Sequence, residues 1–80
     1  MPRYFFDIHE DESAVHDDHG LDLEDRIEAG RQAIAKLRGV GRSGPPAEDI
    51  RRNFAIYVRD EQQQPVLKVT LNFAFQWLDT

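Results

Sequence analysis

All three histidines of the chain fall within twelve residues, His9-Glu-Asp-Glu-Ser-Ala-Val-His-Asp-Asp-His-Gly20, together with five acids. Imidazole nitrogen and carboxylate oxygen are ligands of divalent transition metals, so a metal site is the first chemistry to weigh. A hairpin that turns at Glu10–Ser13 sets Ile8 opposite Val15 and Asp7 opposite His16. His9, His16 and Asp18 then share one face with Asp7. The spacing matches no established ligand pattern, and a one-residue slip of register scatters the set. A solvated hairpin with one Asp–His cross-strand pair accounts for the same residues more simply. No cofactor is expected.

Covalent catalysis has less to work with. The chain has no cysteine, and Ser13 and Ser43 sit in apparent loops without a nucleophile motif. One small sheet under one helix rarely encloses the roughly 300 Å³ that ligand sites need. The expectation is a protein that is not an enzyme. Phosphate binding is the remaining polar chemistry. Arg38, Arg42, Arg51 and Arg52 flank the Gly-Pro stretch 39–46, and a convergence there makes a small basic patch. Tyr57 or Phe5 on an open sheet face can stack a base. The bland account is a solvated helix end with salt bridges to the acidic N-terminal part.

Charge supports the bland account. Residues 1–28 carry ten acids against Arg3 and Arg26, whereas residues 29–59 carry seven bases against Glu48 and Asp49. The whole chain is −5, a poor balance for general nucleic-acid binding, which draws its affinity from basic groups and counterion release. The dipolar layout suits self-association instead.

The elements that position these residues are legible from periodicity. Arg3 to His9 alternates, with Tyr4, Phe6 and Ile8 on one face, and reads as a half-buried strand. Ala14 to Asp18 reads as a short second strand. Leu23 to Arg38 reads as a helix with Asp22 as N-cap, because Leu23, Ile27, Gly30, Ile34 and Leu37 recur at steps of three and four. Gly30 in that stripe points to a close approach of helix and sheet. Gly39 ends the helix, and Ala47 to Arg52 reads as a single helical turn. Asn53 to Asp60 alternates again. Val66 to Trp77 is the clearest strand, and its twelve residues at ~3.3 Å each reach about 40 Å, so it bends or projects beyond the sheet.

The resulting order, ββαββ, gives an α+β domain over residues 1–80, with an antiparallel sheet of three to four strands and one amphipathic helix on one face. The expected inward set is Tyr4, Phe6, Ile8, Leu23, Ile27, Ile34, Leu37, Phe54, Ile56, Val58, Leu67, Val69, Leu71 and Phe73. Phe5, Tyr57 and Val66 fall on the opposite, uncovered face. Eighty residues bury only ~60% of their unfolded surface, and without a disulfide the usual source of extra stability is a partner subunit. Phe5, Tyr57, Phe75 and Trp77 are the candidate contact residues. A homodimer, or a protein partner, is expected. The opening seven residues are not a signal peptide and no apolar run approaches a membrane span, so a cytoplasmic, non-membrane location is expected.

Met1-Pro-Arg-Tyr-Phe-Phe-Asp-Ile-His9, Asp17-Asp-His-Gly20, the helix from Leu23 to Leu37, and Val58-Arg-Asp-Glu61 followed by Pro65-Val-Leu67 arrive in a characteristic order. Together they resemble a family of short alphaproteobacterial, largely rhizobial, proteins that carries a domain of unknown function. The likeness spans nearly the whole chain. It implies a bacterial origin and a stand-alone small protein, and it supplies no activity. Gln62-Gln-Gln64 stands where the family usually has a glycine-containing loop. The segment from Asp22 to Ile34 is also similar, as a fold-level analogy, to the helix that follows an N-terminal hairpin in HicB-type antitoxins. Their Pro/Gly/Cys-containing strand before the helix is missing here. That likeness implies the alternative function, a nucleic-acid-associated regulator.

Overall fold

The computed structural model describes residues 1–39 and 48–79. Alternation makes β1, Arg3–Glu10, a strand that buries Tyr4 and Phe6 while Phe5 and Asp7 turn to the other face. A tight turn at Asp11, with φ 50°, leads into β2, Ser13–Val15. Ile8 pairs with Val15, the register that the hairpin reading requires. The second strand is shorter than the expected span of residues 14–18, because at Asp17 a side chain replaces the backbone as partner. Its Oδ2 accepts the Phe6 N–H at 3.0 Å. The chain then returns to β1 as β3, Leu21–Asp22, which pairs with Arg3 and Tyr4. The Leu23 N–H donates to the Pro2 carbonyl at 2.9 Å and extends that pairing.

The helix α1 is Arg26–Arg38, three residues shorter at its start than the stripe suggests. Asp25, not Asp22, is the N-cap, with its Oδ1 accepting the Glu28 N–H at 2.9 Å. Asp22 belongs to β3, and its carboxylate holds Arg3 at 3.0 Å. Gly39 caps the other end as expected. β4, Ile50–Arg59, pairs with β1, and β5, Pro65–Phe75, pairs with β4, both antiparallel. The sheet order is β2-β1-β4-β5 with β3 alongside β1, so among the described residues five strands stand where three to four were expected. β3 and β4 both run opposite to β1, hence parallel to each other, and α1 is the crossover that must lie on a face of the sheet.

Two expectations about β4 and β5 change. Ile50 to Arg52 are extended rather than helical, because they pair with Phe73 to Phe75; Ala47 lies outside the described residues. Val66 does not stand on the open face. The register jumps from Val58↔Leu67 to Arg59↔Pro65, so Val66 is the extra residue of a bulge, and it packs toward the helix side with Leu67. The long hairpin projects, as its length demands. β1 stops pairing at Phe54, and Ile50–Asn53 with Asn72–Phe75 continue as a two-stranded ribbon. The longest dimension of the molecule is 52 Å.

The core is Tyr4, Phe6, Phe54, Ile56 and Val58 from the sheet against Ala29, Ala33 and Leu37 from α1. The helix therefore turns inward only one side of the expected stripe: Leu37 is buried and Leu23 packs against the core, while Ala29 and Ala33 take the places expected of Ile27 and Ile34. Ile27 and Ile34 are 61% and 44% exposed. The physical reason is volume. Rings and branched side chains already fill the sheet face, and alanines at i and i+4 let the helix axis lie close over them. Gly30 fits the same picture, since a Cβ there would sit 3.4 Å from Leu67 Cδ2.

Candidate interaction surface

The outer edge of β1 is built first from Asp17. An Asx-type turn forms as its Oδ1 accepts the His19 and Gly20 N–H groups at 3.0 and 3.1 Å, while Oδ2 takes Phe6. Burial pushes the Asp17 carboxyl up, and these three backbone donors outweigh it and hold the group below the ordinary range. Gly20 completes the turn at φ 71°, where an added Cβ would meet the Tyr4 carbonyl oxygen at 2.8 Å. Only glycine fits that place without movement.

Arg59 of β4 then ties the turn to the sheet. Its Nε and Nη2 donate to the two Asp7 oxygens at 2.7 and 2.9 Å, and Nη2 also donates to the Asp17 carbonyl at 2.8 Å. Nη1 reaches the Gln63 side-chain oxygen across the β4–β5 turn. The guanidinium carbon lies 4.9 Å from the Phe5 ring centroid. Both partners of the Asp7–Arg59 pair are only 13% exposed, and a bidentate pair so covered is strong. The Arg59 hydrogen bonds hold the Asp7 carboxyl below its ordinary range, against the effect of burial. His16 lies 3.4 Å from Asp7 and 3.6 Å from Asp18.

The candidate metal residues are thereby divided. His16 and Asp18 come together beside Asp7, whose oxygens already receive Arg59, whereas His9 sits edge-on against the Tyr57 ring at 4.7 Å. Among the described residues no three His, Asp or Glu side chains gather as a metal group. The basic set is divided too. Arg51 and Arg52 are consecutive in β4 and project to opposite faces, Arg52 pairs with Glu10, Arg38 is in the last turn of α1, and Arg42 lies outside the described residues.

The four candidate contact residues do not form one patch. Phe5 lies under Arg59, and Tyr57 lies between His9 and Lys68, whose Nζ is 5.2 Å from its ring. Phe75 is at the far end of the ribbon, opposite Ile50 and edge-on to Phe73 at 5.7 Å. Trp77 follows it, and its backbone N–H donates to Asp49 Oδ1 at 2.9 Å.

A different apolar surface emerges along β5. Ile27, Gly30 and Ile34 of α1 face Val66, Leu67 and Val69 across a groove of about 550 Å³, with Arg26 and Arg31 at its rim. Beneath it, the outer edge of β5 meets no strand among the described residues. Such an edge can accept another strand, and the groove can bury apolar side chains. Periodicity found Ile27 and Ile34 but assigned them to the core. The signal against that assignment was Ala29 and Ala33, which line up with the expected Leu37 and which their small size makes easy to overlook. Asp17 was missed as the organiser of the hairpin, although Asp-x-x-Gly is a turn signature.

The architecture is thus α+β, an antiparallel sheet with one helix packed against it and a partly apolar flank left open. The chain belongs to the domain-of-unknown-function family DUF6894, which it matches over residues 3–72. No curated protein and no solved structure matches it significantly. No helix among the described residues is long and apolar enough to cross a membrane.

Proposed function

We propose that this chain is a small non-catalytic interaction or regulatory module that works as a homodimer. The carrying observation is the α1–β5 flank, where two isoleucines, 61% and 44% exposed, stand over a strand edge that meets no other strand among the described residues. A large side chain fully buried contributes roughly 1.5–3 kcal/mol, so a chain of this size gains substantially by covering them. The second copy is the favoured occupant because a chain of eighty residues without a disulfide most simply draws extra stability from a partner subunit. The bacterial setting of the proposal rests on the resemblance, and the cytoplasmic one on an opening that does not read as a signal peptide and on the lack of a membrane-length apolar run in the sequence. Light scattering at high micromolar concentration tests the reading. The expected mass is twice the 9.3 kDa of the chain, and Ile34→Asp returns it to 9.3 kDa with the circular dichroism spectrum retained. A wild-type protein that stays at the chain mass sinks the proposal.

A further inference from the structure

The outward stripe of α1 has a symmetry of its own, and it specifies how a second copy would sit. Ile27 and Ile34 are two turns apart, and their midpoint falls between Gly30 and Arg31. In an antiparallel pair of identical helices crossing at that midpoint, Ile27 of each faces Ile34 of the other. An isologous contact requires this reciprocity, residue i on j and j on i. Gly30, whose missing side chain lets the helix close on Leu67, adds no bulk at the middle of the stripe. Arg31, near the axis, is engaged by Glu28 of its own helix at 3.3 Å, which offsets the approach of two like charges.

Charge follows the same symmetry. Glu24 stands just before the helix and Arg38 in its last turn, both exposed, and their midpoint is Arg31, within a residue of the isoleucine midpoint. Antiparallel crossing therefore brings the helix end that Glu24 precedes, acidic with Asp25 and Glu28, beside the partner's last turn with Arg38, whereas a parallel crossing sets like charges together. Resting on the homodimer proposed above, we infer that a second copy of this chain docks with α1 antiparallel to α1 about a two-fold axis between Gly30 and Arg31, Ile27 meeting the partner's Ile34 and Glu24 meeting the partner's Arg38. The two β5 edges then lie side by side beneath the helices.

Charge reversal tests the pairing. Two rim ion pairs are reversed together by Glu24→Arg, so self-association measured by sedimentation at low salt is expected to weaken by about tenfold, less at high salt. The double variant Glu24→Arg/Arg38→Glu is expected to restore it to within about threefold. Both positions are exposed, and circular dichroism verifies that each variant is folded. A dimer indifferent to Glu24→Arg, or weakened by it and not rescued by the second change, overturns this arrangement and leaves the homodimer standing. A chain that is monomeric throughout overturns both.

Discussion

Along β1 the outer edge is closed by two short strands and, in the gap between them, by the Asp17 carboxylate, with Arg59 binding the closure to the sheet. Along β5 the outer edge meets no strand among the described residues, and the helix beside it turns Ile27 and Ile34 outward. Edges of sheets invite association, and proteins blunt them with short strands, charges and covering loops. One edge here carries all three devices. The difference teaches that polar groups can be concentrated where pairing must be refused, while apolar groups collect where it is accepted.

The contrast predicts unequal costs of substitution. Asp17→Ala leaves three backbone donors without their acceptor and is expected to destabilise by about 3 kcal/mol in urea unfolding, a large share of a thin margin. A loss under 1 kcal/mol would mean the β1 edge is held by something else. Gly20→Ala follows, at about 2 kcal/mol, from the left-handed backbone and the contact with the Tyr4 carbonyl. On the β5 flank, Ile34→Asp costs the fold of the monomer only about 1 kcal/mol, since the side chain is already half exposed, and its effect appears in the mass instead.

Acid should attack the same closed edge. Asp7 and Asp17 are both held below the carboxylate value of 3.8 in the folded chain. A depressed folded-state value contributes stability that is fully present above 3.8 and is lost as pH falls through the still lower folded value. Urea midpoints are therefore expected to be flat for these two groups at neutral pH and to drop below pH 3.8, and Asp17→Ala should shrink the drop. An unchanged acid limb in that variant would remove Asp17 from the account. The smallest effect belongs to Gln63, which sits at φ 66° in the β4–β5 turn. Gln63→Gly relieves about 1 kcal/mol of backbone strain and loses the contact with Arg59, so the net change in midpoint should be within about 0.5 kcal/mol.

Much of this was legible in particular residues. Alternation placed Tyr4, Phe6, Phe54, Ile56 and Val58 on one face, and the hairpin pattern gave the Ile8↔Val15 register. β3 was not legible, because two residues carry no period. The bulge at Val66 was hidden for a related reason, since one added residue breaks the alternation from which it would be read. Asp22 and Asp25 compete as N-caps with equal chemistry, and pairing of Leu21–Asp22 with β1 decided between them.

By itself the sequence determined the helix, four of the five described strands in their order, and the inward face of β1 and of β4 from Phe54 to Val58, because periods of two and near three and a half are local properties of the backbone. Which stripe of α1 faces the sheet was decided only by tertiary packing. The helix offers two adjoining apolar faces, and the one with Ala29 and Ala33 lies against the sheet beside the buried Leu37, because small residues let the helix axis come close to the rings beneath. The same choice turned Ile27 and Ile34 to the open flank and made that flank, rather than the aromatic residues on the far face, the candidate meeting place.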